Sequence, residues 1–265
     1  MNRSVIEAAN VLRYRNESDS ELDALRRAIA EGCDVDHRES DGEGSGDGYS
    51  ALHTICTGSR YARQRLACVA ALIGAGADVN LPSRERSFPI SPITSAVRHC
   101  GPEVVRTLID AGADVTYALP KDSGARGVTP LHTAAIYGKD KTILPLLAAG
   151  AVVDAISEIH RDVPETPLDA AIRFKAGQPW ELNGGFDYTR TYAHLVRAGA
   201  RIPTRQNSYY PLPPYLAAVA KAGGYARYER AHRARLAAIF IPRFPHLPAE
   251  VVHHIVGIWA DVGGH

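Results

Sequence analysis

The sequence predicts an all-α solenoid: helix pairs stacked side by side, joined by protruding finger loops, with further helices closing the carboxy-terminal end. Three observations predict it. A small-residue phrase returns along the chain, as AGADVN at 75–80, AGADVT at 111–116, AGAVVD at 149–154 and AGARIP at 198–203, with a weaker copy, EGCDVD, at 31–36. A second phrase alternates with it: SALHT from Ser50, SPITSA from Ser91, TPLHTAA from Thr129 and TPLDAA from Thr166. The surplus residues between copies fall in links such as HRESDGEGSGDG and YALPKDSGARGV, where insertions cost little. One helix pair cannot bury its apolar face alone, but stacked pairs can.

The elements follow in chain order. SVIEAANVLRY and then ELDALRRAIAEG read as an amino-terminal capping unit, with Leu22, Leu25 and Ile29 at helical spacing. In TPLH, Thr129 is placed to cap a helix, and Pro130 takes the first helical position, where its missing N–H is harmless. Leu131, Ala134 and Ala135 give a small apolar face for close helix approach. Leu146 and Leu147 end a second helix, and Gly150 supplies the left-handed residue that stops it. Pro145 falls inside that second helix and is expected to kink it. The expected division is a repeat domain over 1–203 and a carboxy-terminal helical segment over 204–265. Within the first, the cap covers about 4–36 and the repeats about 48–80, 89–116, 127–154 and 164–203.

On these residues the sequence resembles the ankyrin-repeat family, from about Ser20 to Pro203. The copies are longer than the ~33 residues of an ideal unit. The resemblance implies that the histidine of TPLH, present as His53 and His132, ties adjacent hairpins by hydrogen bonds; Thr94 and Asp169 replace it in the other two copies. It also implies a non-enzymatic scaffold that binds a protein partner on a concave surface of fingers and inner helices, with no cofactor. The fingers would be His37 to Tyr49, Pro82 to Phe88, Ala118 to Gly127 and Glu158 to Pro164. The first is acidic (Asp36, Glu39, Asp41, Glu43, Asp47), whereas Arg84, Arg86, Lys121, Arg126 and Arg161 make the others more basic. Such a gradient can orient a partner. Phe88 and Tyr137 join these arginines and the lysine as candidate contacts, because aromatic residues are frequent interface anchors.

After Pro203 the pattern changes. PLPPYLAAVAKAGGYARYERAHRARLAAIF reads as another helix pair turning at Gly223–Gly224, and LPAEVVHHIVGIWADVG as a last helix. Val251, Val252, Ile255, Val256 and Trp259 are spaced to share one apolar face. This ending is similar to that of algal ankyrin-repeat proteins. Leu247 to Trp259 also resembles the first helix of an F-box, which docks on the adaptor of a cullin-type ubiquitin ligase. That resemblance implies Leu247, Pro248, Glu250, Val251, Ile255 and Trp259 as adaptor contacts. The alternative is a terminal cap over the last apolar face of the stack.

Composition sets the remaining bounds. A formal net charge of +1 gives no global field toward nucleic acid or membrane. Cys33, Cys56, Cys68 and Cys100 form no C-x-x-C pair and read as small buried hydrophobes in a reducing compartment. The cytoplasm is the expected location, with the nucleus the alternative. No nucleotide-binding loop, G-x-S-x-G serine or zinc spacing occurs, and no apolar run is long enough for a membrane span, so neither catalytic nor metal-ligating residues are assigned. DGEGSGDGY has the alternating acids that open a calcium loop but places Leu52 where the bidentate Glu would stand; it reads as an acidic linker. The tyrosines and arginines between Tyr188 and Tyr228 read as packing rather than nucleic-acid stacking.

Overall fold

The computed structural model describes residue 5 and residues 19–38, 48–57, 64–83, 88–160, 163–177, 188–203 and 211–261. The helix α1 (Asp19–Ala30) precedes four helix pairs among the described residues. The first unit is α2 (Ala51–Thr57) and α3 (Arg65–Gly74); the second is α4 (Pro92–His99) and α5 (Pro102–Asp110). The third is α6 (Pro130–Ile136) and α7 (Asp140–Ala148); the fourth is α8 (Pro167–Gly177) and α9 (Tyr188–Arg197). The inner helices α2, α4, α6 and α8 pack in one row and the outer helices α3, α5, α7 and α9 in another, so the described residues form an all-α solenoid of stacked helix pairs.

The repeated phrases explain this order. Leu52, Ile93, Leu131 and Leu168 hold the same place in the second phrase, and all four are fully buried on the inner row. Leu72, Leu108, Leu146 and Leu195 do the same on the outer row. Ala96, Ala134 and Ala171 face the neighbouring inner helix with no side chain beyond a methyl, which lets the backbones approach. Proline opens α4, α5 and α6 at a position that needs no donor. Each outer helix ends on a glycine at positive φ, from Gly76 (89°) to Gly199 (97°). That conformation costs an L side chain roughly 1–2 kcal/mol, which is why glycine recurs at the hinge. Pro145, where a kink is expected, lies inside α7, which runs on to Ala148. The carbonyl that proline leaves without its helical donor belongs to exposed Lys141, where water can serve it.

Polar ties join one unit to the next. His53 donates from Nε2 to the Ile90 carbonyl of the second unit (2.9 Å) while its Nδ1 accepts from Ser50 Oγ (3.0 Å). His132 repeats the arrangement, with Nε2 on the Glu165 carbonyl of the fourth unit (3.2 Å) and Nδ1 on Thr129 Oγ1 (2.9 Å). Burial outweighs the hydrogen bond to the carbonyl and lowers both imidazoles to about 4, so both rings are neutral. A second ladder runs along the hinges. Asp36 accepts the Asp78 N–H (3.0 Å), Asn80 the Asp114 N–H (2.7 Å) and Asp154 the Arg201 N–H (3.1 Å).

Both ladders lapse at one place. Thr94 stands where the histidine would be, and its hydroxyl reaches only Ser91 Oγ (2.9 Å). The Val128 carbonyl it would meet accepts instead from Leu119 N–H (3.0 Å). Thr116 stands where Asn80 and Asp154 do, and its hydroxyl turns back to Asp114 Oδ1 (2.7 Å). The second and third units therefore meet through apolar packing and a finger-to-finger bond from Tyr117, less extensively on the inner row than either flanking pair of units. Asp169, the other replacement, caps α8 by accepting from Thr166 N–H (3.0 Å) and Thr166 Oγ1 (2.8 Å).

The carboxy-terminal helices extend the stack. α10 (Pro214–Lys221) places Leu216 and Val219 in the same core as the repeats. α11 (Tyr225–Phe240) meets α9, where Arg197 pairs with Glu229 (3.3 Å). α12 (Ala249–Asp261) packs chiefly on α11 and adds nothing to the main core. The expected single apolar face is divided: Val252 and Val256 are 2% and 3% exposed, whereas Val251 and Ile255 are 41% and 51% exposed. A helix turns 100° per residue, so Val251 and Ile255 sit at the rim of the contact that Val252 and Val256 fill. The Trp259 side chain lies outside the described residues.

Candidate partner-binding groove

A groove of about 300 Å³ opens between α4 and α6, where the polar ladders lapse. Its floor is Thr94, Ser95, Val128 and Thr133, and its walls come from the second and third fingers and the last turns of three inner helices. Phe88, at the end of the second finger, is 39% exposed and rests against Gly124 of the third, where an added Cβ would come within 3.0 Å of the ring. Tyr137 caps α6 and lies tilted against Phe174 of α8, ring centroids 6.3 Å apart. Arg98, in the last turn of α4, lays its guanidinium over the Tyr137 ring at 5.0 Å from its centre. Arg173 sits 5.3 Å over Phe174, but its charge is met by Glu165 through two bonds of 2.7 and 2.9 Å.

The fingers hold this groove in shape. The second is fastened to the third by Tyr117 Oη, which donates to the Pro89 carbonyl. The third is fastened to the fourth by Glu158 N–H on the Arg126 carbonyl (2.8 Å) and by the exposed Arg126–Glu158 ion pair (3.6 Å). The fourth alone among the described residues forms a strand pair, β1 (Ser157–His160) with β2 (Val163–Glu165), Ser157 facing Glu165. Gly127 lies where the third finger meets the fourth, at φ 70°, and a Cβ there would stand 2.6 Å from the Ile156 carbonyl. No other residue fits that crossing.

The sequence-expected contacts are distributed unevenly around this site. Phe88 and Tyr137 line the groove together. Lys121 and Arg126 are exposed on the third finger and do not line it. Arg84, Arg86 and Arg161 lie outside the described residues, as does most of the acidic first finger. Sequence reasoning missed Arg98, Ser95 and Phe174. The signal was present: counting from the phrase histidine, the last turns of three successive inner helices read Arg98-His99, Ile136-Tyr137 and Arg173-Phe174. Of the tail residues, Leu247 and Ile255 line a second apolar hollow of about 270 Å³ with Phe240 and Phe244; Pro248, Glu250 and Val251 are exposed.

The cysteines are packed inward as expected for Cys56, Cys68 and Cys100, while Cys33 is half-buried. Cys100 also has a polar role. Its thiol donates to the Cys56 carbonyl (3.2 Å), and buried Arg65 donates to its sulfur (3.3 Å) and to the His99 carbonyl (3.0 Å). This is a further tie between the first and second units. Among the described residues no cluster of three or more His, Cys, Asp or Glu could hold a metal ion, and no helix is long and apolar enough to cross a membrane.

Fold and groove together define a class: a repeat scaffold with a side-chain-lined slot between its fingers and inner helices. Residues 60–157 match the family model for ankyrin repeats in three copies. That match covers the first three hinges and the groove floor and stops before the fourth unit and the tail. No curated protein matches the chain. Ankyrin repeats in general mediate protein–protein interaction and are typically non-enzymatic.

Proposed function

We propose that this chain is a non-enzymatic scaffold that binds a protein partner along its fingers and inner helices, with the groove between α4 and α6 as the anchor point. The observation that carries the reading is the convergence of Phe88, Tyr137 and Phe174, from one finger and two helices, on a single open hollow. A soluble domain gains nothing in stability from leaving such rings partly open, and partly open aromatic clusters are where interfaces concentrate their binding energy. The rigid ties between fingers mean that a partner meets a preformed surface. The test is affinity capture with the intact chain and with Phe88→Ala/Tyr137→Ala, both checked for native helicity by circular dichroism. Partners held by the intact chain and lost by the double variant support the reading; an identical set from both refutes it.

A second reading has its own observation. The exposed Val251 and Ile255, beside the apolar hollow under Phe244, fit a substrate receptor of a cullin-type ubiquitin ligase that docks an adaptor through Leu247–Trp259. Ile255→Asp alters the exposed rim without touching the buried Val252 and Val256. Ligase adaptors captured by the intact chain and released by this change would favour it; their absence from both captures would end it.

A further inference from the structure

We infer that the groove between α4 and α6 selects an extended partner segment carrying a carboxylate beside a large apolar side chain. This rests on the scaffold reading above and names the chemistry the groove accepts. The apolar half follows from the walls. Phe88, Tyr137 and Phe174 surround a hollow with room for one large side chain and little to offer a polar one. The hollow exists because Thr94 is short. The rings of His53 and His132 fill the corresponding space at the flanking seams and are fully buried there.

The charged half follows from Arg98. Among the residues lining the groove the only side chains able to carry a positive charge are Arg98 and His99, and no carboxylate is present. Arg98 is exposed and forms no ion pair among the described residues; its one contact is the Tyr137 ring. A guanidinium held over a ring still has N–H donors to spare, and its fork takes a carboxylate side-on. Arg173 two turns of the stack away shows the contrast, since Glu165 already occupies its fork. The unmet positive charge is thus concentrated at one point on the rim of an apolar slot. Charge-assisted bonds gain strength where aromatic walls exclude water. The floor adds a third feature. Ser95 Oγ, just beneath the groove surface, is buried and has no hydrogen-bond partner among the described residues, so a rotation about its Cα–Cβ bond is needed before it can meet the main chain of an extended segment. One guanidinium suits one carboxylate.

The test uses the intact chain as bait for a random-peptide display library. Expected enrichment is Asp or Glu within a residue or two of Phe, Leu, Trp or Met. An enriched peptide is then synthesised with its carboxylate and with a carboxamide in its place, and both are titrated by fluorescence anisotropy. The carboxylate form should bind about tenfold or more tightly, the size of one charge-assisted hydrogen bond. Arg98→Gln should level the two, and Arg98→Glu should turn the preference toward Lys. Tyr137→Ala should weaken both peptides alike. An enriched pool without acids, or an acid preference that survives Arg98→Gln, overturns the inference. Acid-blind peptides whose binding still falls in Tyr137→Ala would overturn it while leaving the scaffold reading in place. If no retained peptide depends on Tyr137, both fall. Circular dichroism of each variant separates lost binding from lost fold.

Discussion

His53 and Asn80 bind the first unit to the second, and His132 and Asp154 bind the third to the fourth. Between the second and third units, Thr94 and Thr116 occupy the same two places and reach neither neighbour. The positions are 22 residues apart in sequence, one on an inner helix and one at a hinge, yet both departures fall on one seam. In a stacked array the stability of each boundary is a nearest-neighbour property, so the seam that lacks both ladder bonds is the place where the array yields first. It is also the seam that carries the groove. The same missing imidazole removes a tie and opens a space. The flanking seams show what the protein is like when that space is filled.

This comparison can be broken most directly by removing a tie. His132→Ala leaves a cavity and removes one of the two side-chain donors to the Glu165 carbonyl, Ser157 Oγ being the other. It should cost about 2–4 kcal/mol in urea unfolding, whereas Thr94→Ala at the open seam should cost about 1 kcal/mol or less. Equal losses would mean that the two seams do not differ. Acid offers a second test. Unfolded imidazoles take up protons near pH 6.5, while His53 and His132 resist until about 4. Stability is therefore complete well above pH 6.5 and falls as pH drops toward 4, by roughly 1 kcal/mol for each ring at pH 5.5. A double variant, His53→Ala/His132→Ala, should be less stable but flatter across that window; an unchanged slope would locate the acid sensitivity elsewhere.

The hinge ladder predicts smaller effects. Asn80→Ala removes bonds to Asp114 N–H and the Gly112 carbonyl and should cost about 1 kcal/mol. Thr116→Ala, which loses only a bond to Asp114 in its own hinge, should change stability by less than half of that, about 0.5 kcal/mol. Thr116→Asn sharpens the comparison in the opposite direction. It restores the residue type that works at position 80 and should add roughly 0.5–1 kcal/mol, with slower amide exchange across the α4–α6 seam. A gain without slower exchange would show that the new side chain bonds within its own hinge.

Much of this was readable from residues alone. The caps, the proline starts and the glycine stops each depend on neighbours within a few positions, so Thr129, Pro130 and Gly150 act as their local chemistry requires. The buried leucines follow from periodicity, since position on a helix decides which face a residue shares. Even the break in the histidine series was visible at Thr94. The helix at the end was read correctly as a helix, but its five apolar residues were given one face; Val252 and Val256 point inward and Val251 and Ile255 do not, because α11 covers only part of the arc.

What the sequence determined by itself, then, is the unit: a capped helix, a turn, a second helix and a glycine that stops it, all fixed by interactions short in sequence. What the tertiary structure decided is the seam. Phe88, Arg98, Tyr137 and Phe174 come from three units and meet only because stacked inner helices turn their last residues toward the same hollow. Whether a threonine leaves a gap or merely a shorter side chain depends on how far the next helix stands away, and that distance belongs to the packing of the whole row.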